Sequence, residues 1–218
     1  MYKTEIIVVR HGESLGNRNR IFAGQTDVDL TERGYEQAAA TAQYLSSEKI
    51  DAVYSSDLVR AYNTALPHAK MRGLDVIAVR GLREINIGIL EGADIRLVTK
   101  RRGAAFSRYW TTDFGFFAFA GGESTEECGK RFYRTLETIA RENIGRRILV
   151  ASHAAVIRAF WGRISNISPM ELGRKIPFAS NASVSRVDYE GDVFVPKSYS
   201  ENGHLSSVGF IDNTVKLC

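Results

Sequence analysis

The sequence is poor in cysteine and has no apolar stretch long enough to cross a membrane. Its two cysteines, Cys128 and Cys218, do not form a CxxC pair, and nothing indicates a disulfide framework. The N-terminal residues lack the pattern of a signal peptide, and the histidine and carboxylate spacings typical of metal sites are missing. These absences predict a cytoplasmic protein without a bound metal or cofactor.

Charge is not concentrated in any one part of the chain. Lysine and arginine together number 29 against 25 acidic residues, which gives a net charge of +4. The basic clusters are short, at 100–102 and 146–147, whereas nucleic-acid binders usually gather such charge on one face or tail. We therefore expect neither a nucleic-acid nor a membrane partner. The mild positive excess suits a small phosphorylated substrate, through electrostatic steering.

The order of the predicted elements indicates an α/β protein. Short apolar strands alternate with amphipathic helices, which predicts a mostly parallel central sheet with helices on both faces. The chain has no internal repeat or linker, so residues 1–218 are expected to form one domain. Strands are predicted at 6–9, 52–55, 76–79 and 147–152, with a β-hairpin at 183–197. Helices are predicted at 32–47, from Ser124 to about Asn143 and at 154–164. One more helix is predicted to begin after Asp57, which would be its cap. Residues 17–28 are predicted to form a loop.

Polar residues follow three of the predicted strands at the point where each strand ends. They are Arg10 and His11 after the first strand, Asp57 and Arg60 after the second, and His153 after the fourth. Parallel strands have their carboxyl ends on one side, where ligands bind in open α/β sheets. We therefore expect two histidines and two arginines to surround one pocket, as an anion site with a nucleophile.

Glu84, after the third predicted strand, adds a candidate proton donor to the same edge. This set of residues is suited to phosphoryl transfer without a metal. A lone histidine after a strand is more often structural than functional. His68 and His204 are interpreted as structural or surface groups.

The run Arg10-His11-Gly12-Glu13-Ser14 with Asn17 resembles the signature of the histidine phosphatase superfamily, which contains cofactor-dependent phosphoglycerate mutases and many small phosphatases. The resemblance covers nearly the whole chain in order. It continues through residues 29–34, 37–38, 55–61, 64–65, 82–85, 91–92, 121–124, 152–158, 181–184 and 204–205.

The resemblance implies catalytic and phosphate-binding roles for particular residues. His11 would be the neutral nucleophile that becomes a phosphohistidine, and Glu84 would protonate the leaving oxygen and later activate water. A protonated His153 would complete the catalytic set, so the two histidines should titrate differently. The phosphoryl oxygens would be surrounded by Arg10, Arg60 and His153, with hydrogen bonds from Asn17 and from the backbone N–H of Ala154.

Substrate contacts are expected from Ser14, Ala23 and Gly24. Many relatives carry Gln, Ser or Thr where this chain has Ala23, so one side-chain contact is missing here. Residues 92–121, rich in aromatic side chains, are expected to cover the pocket. At least two of Lys100, Arg101 and Arg102 are expected to face water.

The run from Leu82 to Gly88 resembles the phosphatase branch, whereas the mutases carry a characteristic Glu-Arg-His-Tyr-Gly run there. The resemblance thus implies a metal-independent phosphomonoester hydrolase acting on a small phosphorylated metabolite. One alternative is a phosphoglycerate mutase-like phosphotransferase. The other, a non-catalytic module that binds phosphorylated ligands, conflicts with the intact set of His11, Arg60, Glu84 and His153. The oligomeric state stays open between a monomer and a homodimer.

Overall fold

The computed structural model describes residues 3–98, 100–101 and 118–209. Within these ranges six strands form one sheet in the order β3-β2-β4-β1-β5-β6. The first four strands are parallel to one another, β5 pairs antiparallel with β1, and β6 pairs antiparallel with β5, so the sheet is mostly parallel, as predicted. The strands are β1 (Thr4–Arg10), β2 (Ala52–Ser55), β3 (Val76–Ala78), β4 (Arg147–Ser152), β5 (Val184–Glu190) and β6 (Val193–Glu201).

The helices alternate with the parallel strands. They are α1 (Leu15–Asn19), α2 (Glu32–Tyr44), α3 (Val59–Arg72), α4 (Thr125–Glu142), α5 (Ala154–Ile164) and α6 (Leu172–Lys175). Single turns of 3₁₀-helix lie at Arg80–Leu82, Gly88–Leu90 and Gly203–Leu205, and residues 95–98 are also helical. No helix in the described part of the chain combines the length and the apolar composition that a bilayer crossing requires.

The central strand β1 is buried on both faces, and its side chains alternate between two apolar cores. Ile6 and Val8 belong to the core that contains Leu136 of α4 and Ile157 of α5. Ile7 and Val9 belong to the opposite core, with Leu45 and Ala65 from the α2–α3 side. Because successive side chains of a strand point to opposite faces, an uninterrupted apolar strand requires helices on both faces. This confirms the predicted layer arrangement.

The predicted helix cap at Asp57 is wrong. Helix α3 begins after Leu58, which makes no side-chain cap, and the Asp57 carboxylate instead accepts two hydrogen bonds of 2.7 Å from Arg83. A paired, charge-assisted contact of this kind is stronger than a neutral one. The first turn of α3 is capped from elsewhere in the chain, since Asp27 Oδ1 accepts from the N–H of Val59 at 2.8 Å.

Two element boundaries also differ from the prediction. The stretch 17–28 is not all loop, because Ser14 and Asn17 form a capping box that begins the short helix α1. Helix α2 ends at Tyr44, three residues before the predicted end at 47. The predicted hairpin is confirmed, and its second strand extends further, to Glu201.

The turn after β1 is in backbone contact with the first turn of α2. A Cβ atom on Gly12 would lie 2.4 Å from the carbonyl oxygen of Gly34, and one on Gly34 would lie 2.1 Å from that of Glu13. Thr31 N–H donates to the Glu13 carbonyl at 2.8 Å, and Gln37 Oε1 accepts from Glu13 N–H at 2.8 Å. Only residues without a side chain permit this approach, so α2 fixes the backbone that carries His11.

Candidate active site

His11 and His153 meet at the carboxyl edge of the parallel strands. In the register of β1 and β4, Arg10 pairs with Ser152, so the residues that follow the two strands are side by side. The ring centroids of His11 and His153 are 5.2 Å apart, with an angle of 58° between the planes. Their exposed fractions are 4% and 0%. The structure thus brings together the two histidines that the sequence predicted to converge.

The His11 ring has a defined tautomer. Its Nδ1 atom lies 2.7 Å from the carbonyl oxygen of Gly12. A carbonyl can only accept, so Nδ1 carries the proton and donates it, and the lone pair of the neutral ring is on Nε2. A neutral imidazole with an available Nε2 is the form that acts as a nucleophile.

His153 is the N-cap residue of α5, but its side chain makes no capping bond. Neither of its ring nitrogens has a hydrogen-bond partner among the described residues. Leaving a buried polar group unsatisfied costs about 1–3 kcal/mol. The ring is therefore held ready to bind a polar ligand atom.

Arg10 and Arg60 supply the positive charge of the site. Arg60 is 2% exposed and donates to the carbonyl oxygens of Thr26 at 2.9 Å and Gly24 at 2.7 Å. Arg10 is 3% exposed and donates to the carbonyl of Ala179 at 2.5 Å. Burial lowers the pKa of Arg10 to about 10, so its guanidinium stays charged at neutral pH. Guanidinium groups fixed in this way are suited to binding phosphoryl oxygens.

Both site histidines are held in the neutral form. Burial lowers the pKa of His11 and of His153 well below the usual range, and the nearby Arg60 guanidinium lowers both pKa values further. The sequence predicted a protonated His153 and different titration of the two rings. In the protein by itself both pKa values move in the same direction, because both rings share one desolvated, positive site. A doubly charged phosphate would offset that repulsion and favour the protonated form of His153.

Asn17 is positioned by two neighbours. Its Oδ1 atom accepts at 3.1 Å from the N–H and hydroxyl of Ser14 and from the amide of Asn181, which leaves its own amide group available for a ligand. The Asn181 amide also donates to the carbonyls of His11 and Gly12 at 3.1 Å. Asn181 was not predicted as a site residue, although it lies in a motif that carries the family resemblance.

Ser14 belongs to the capping box that begins helix α1. Its Oγ atom accepts from the N–H of Asn17 at 3.2 Å as part of the capping box, and the residue is 1% exposed. The hydroxyl thus helps to fix Asn17, and the expected substrate contact of Ser14 stays a prediction.

The Glu84 carboxylate caps the first turn of helix α5, although Glu84 lies far from that helix in the sequence. Its Oε1 atom accepts from the backbone N–H of Val156 at 3.0 Å, and Oε2 accepts from that of Ala155 at 3.1 Å. The N–H of Ile85 also donates to Oε1, at 2.9 Å. These contacts place the carboxyl group beside the residues that follow His153. Two first-turn amides donate to Glu84, and the N–H of Ala154 stays available to a ligand.

The Gly24 loop contributes through its backbone. Gly24 holds Arg60 with its carbonyl oxygen, and the carbonyl of Ala23 accepts from Thr26 N–H at 2.8 Å. Their substrate contacts stay predictions. No cluster of three or more potential metal-binding side chains occurs within the ranges that the structure describes.

Part of the predicted covering segment is described. Lys100 and Arg101 are exposed, as expected for at least two of the three basic residues there. Arg102 and the aromatic residues between 106 and 117 lie outside the described residues.

Comparison with known proteins gives consistent results. A sequence profile of the histidine phosphatase superfamily (branch 1) matches residues 6–202. The "Metal-independent phosphoserine phosphatase" of Arabidopsis thaliana is 38% identical over 210 residues, which are 95% of this chain and 86% of the relative. The "Phosphoglycerate mutase-like protein 4" of the same plant is 34% identical over 211 residues, with 96% and 90% covered.

The fold is also shared with solved structures. Bacillus stearothermophilus YhfR superimposes with a TM-score of 0.86 at 24% identity, over 93% of this chain and 99% of that one. With a profile match over most of its length and relatives above 30% identity, the chain belongs to the histidine phosphatase superfamily, branch 1.

Proposed function

We propose that the protein is a metal-independent phosphomonoester hydrolase that works through a phosphohistidine at His11. The observation that carries this proposal is the His11 ring, which has Nδ1 held by the Gly12 carbonyl and Nε2 available, and whose centroid is 5.2 Å from that of the His153 ring. Nε2 attacks phosphorus, an N–P bond forms, and the P–O bond to the alcohol breaks while Glu84 gives its proton to the leaving oxygen. Water then attacks phosphorus, loses a proton to Glu84, and releases phosphate and neutral His11.

Charge stabilisation is the main requirement of this reaction. The transferred phosphoryl group spreads negative charge over three oxygens, and catalysis depends on alignment and on fixed positive groups. Arg10, Arg60, the Asn17 amide and the Ala154 N–H are the groups proposed to contact these oxygens. His153 joins them as a donor once the anion raises its pKa.

The proposed substrate is a small phosphorylated metabolite. Phosphoserine is the first compound to test, because the Arabidopsis relative at 38% identity carries that activity in its name. Sugar phosphates, phosphoglycerates and nucleotide monophosphates complete a suitable screen for released phosphate.

The covalent intermediate is tested by trapping. A radiolabelled phosphate donor, quenched without acid, should label His11 with phosphate that is lost on acid treatment. His11→Ala should abolish the label, and EDTA should leave both labelling and turnover intact because fixed arginines supply the positive charge. A label that persists in His11→Ala or maps to a serine would contradict the mechanism, as would an activity that EDTA removes and a divalent ion restores.

A phosphoglycerate mutase-like phosphotransferase is the second candidate, favoured by the name of the relative at 34% identity. With 3-phosphoglycerate and a catalytic amount of 2,3-bisphosphoglycerate, we expect little 2-phosphoglycerate compared with the phosphate released from the best substrate. Efficient interconversion would favour the mutase.

We further propose that the chain forms a single domain, with the described ends of the segment 92–121 at the edge of the pocket. The first residues of this segment are tied to the loop that precedes Gly24, since Gly92 N–H donates to the Phe22 carbonyl at 2.8 Å and Ile95 N–H to that of Arg20 at 2.9 Å. At its other end, Ile89 N–H donates to the Ala120 carbonyl at 3.1 Å. The cytoplasmic location and the homodimer stay predictions, to be tested by cell fractionation and gel filtration.

A further inference from the structure

The proton donor of the proposed reaction lies on a segment without regular secondary structure. Glu84 follows the 3₁₀ turn Arg80–Leu82 and precedes the one at Gly88–Leu90. Neither the sheet nor a helix sets the position of its backbone. Side chains from other elements must therefore hold it, since a catalytic group needs to be fixed to within a fraction of an ångström.

Arg131 of α4 contacts this segment at three carbonyl oxygens. Its Nη1 atom donates to Gly81 at 2.8 Å and to Arg83 at 2.9 Å, and its Nη2 atom donates to Glu84 itself at 3.2 Å. The segment also packs closely on α4, because a Cβ atom on Gly81 would lie 2.2 Å from Thr135 Oγ1. No other side chain of the described residues donates to three main-chain oxygens of the Glu84 segment.

The guanidinium is itself fixed by Glu123. Nε donates to Glu123 Oε2 at 3.1 Å and Nη2 donates to Oε1 at 2.6 Å. Glu123 also binds the segment, since its Oε1 accepts from Asn86 N–H at 2.9 Å and its own N–H donates to the Asn86 carbonyl at 2.8 Å. All five N–H donors of Arg131 thus reach protein oxygens, and none is left for a phosphoryl group.

We propose that Arg131 is the positioning residue of Glu84, fixing the main chain so that the carboxyl group meets both the helix α5 amides and the leaving oxygen. Arg131 has this role only if Glu84 is the proton donor of the proposed function. A planar, five-donor group is required, because a lysine ammonium has three donors and cannot span three carbonyls and a carboxylate.

The test uses single-turnover phosphorylation of the enzyme by two donors, phosphoserine and p-nitrophenyl phosphate. An alkoxide needs a proton as it leaves and a nitrophenolate does not. Displacement of Glu84 should therefore slow the first donor selectively. In Arg131→Lys we expect the ratio of the two rates to change by about 10-fold to 10²-fold, since an ångström of misplacement costs up to about 10²-fold. The exposed Arg134 on the same helix is the matched control, and Arg134→Lys should leave the ratio unchanged.

A double variant separates positioning from a general structural effect. If Arg131 acts through Glu84, adding Arg131→Lys to Glu84→Gln should leave the rate ratio of Glu84→Gln unaltered. Equal slowing of both donors in Arg131→Lys, or a further change of the ratio in the double variant, would overturn the proposal.

If Arg131→Lys does not fold, Glu123→Gln provides the test. It weakens the support of the guanidinium while keeping its contacts to the three carbonyls, and should change the ratio in the same direction by a smaller factor. An unchanged ratio in Glu123→Gln would then overturn the role of Arg131. Failure of the proposed function looks different, because the wild-type protein would form no phosphohistidine with either donor.

Discussion

Two regions of this protein contain a buried imidazole without a hydrogen-bond partner among the described residues, and only one has the features of an active site. His153 and His68 are both 0% exposed, and neither ring nitrogen of either residue is bonded there. Burial lowers the pKa of both, to about 3 for His68. Burial and a shifted pKa therefore do not distinguish the two.

The surroundings of the rings do distinguish them. His153 follows a parallel strand at its carboxyl end, where Arg10 and Arg60 also lie near it, whereas His68 lies inside α3, two turns beyond Arg60. The arginine nearest to His68 is Arg72, which joins helix ends by donating to the carbonyls of Leu45 at 2.5 Å and Glu48 at 3.2 Å. Convergence of charged groups at one sheet edge identifies the site, and a buried histidine by itself does not.

The largest effect is expected from Glu84→Gln, which removes the proton donor from the His153 region. Phosphorylation of His11 by an alkyl phosphate should slow by about 10²–10⁴-fold, and phosphorylation by p-nitrophenyl phosphate far less. Single-turnover kinetics measure the first step alone. Glu126→Gln, at a partly exposed ion pair with Lys130 on α4, is the control. Equal slowing with both donors would mean that another residue is the acid.

The same variant has a structural consequence that unfolding experiments detect. A glutamine at 84 places an NH₂ group beside a backbone N–H of α5, so one of the two capping bonds is lost. Loss of such a cap costs about 1 kcal/mol. A similar decrease in the free energy of unfolding is expected, and it should not depend on the phosphate donor.

The next largest effect on activity is expected when the His153 and His68 regions are compared directly. His153→Gln should reduce kcat by about 10²–10³-fold, the usual cost of removing one fixed donor to a developing charge. His68→Leu should leave kcat within about 3-fold, because an apolar replacement of an unbonded ring loses no hydrogen bond. Steady-state kinetics of the two purified variants measure the two kcat values. Comparable losses in both would show that the regions do not differ as described.

Of the effects that compare the two histidines, the smaller one concerns stability at acidic pH. His68 has a lowered pKa in the folded protein, so the unfolded chain binds the extra proton below about pH 6.5, and stability falls as the pH falls toward 3. Between pH 7.5 and pH 5 the wild-type protein should lose about 2 kcal/mol more than His68→Leu. His11 and His153 contribute in the same direction in both proteins and cancel. Urea unfolding at the two pH values measures the difference, and parallel losses would contradict the assignment.

The sequence by itself determined the layer arrangement and the chemical groups of the site. A β-branched run such as 6–9 indicates a strand buried on both faces, because every side chain in it is apolar. Parallel strands place their carboxyl ends together, so the convergence of His11, Arg60 and His153 follows from local pattern and topology. Caps adjacent in sequence, such as Ser124 at α4, were also predictable.

Only the tertiary structure decided how those groups are held. The cap of α5 is Glu84, 71 and 72 residues away from the amides that it accepts, and Asn181 supports the His11 backbone across 170 residues. Asp57 bonds to Arg83 although a cap position was open to it. A polar side chain has several possible hydrogen-bond partners of similar strength in the chain. The partner that it binds depends on which elements the packed cores bring within 3 Å of it. Periodicity along the chain does not contain that information.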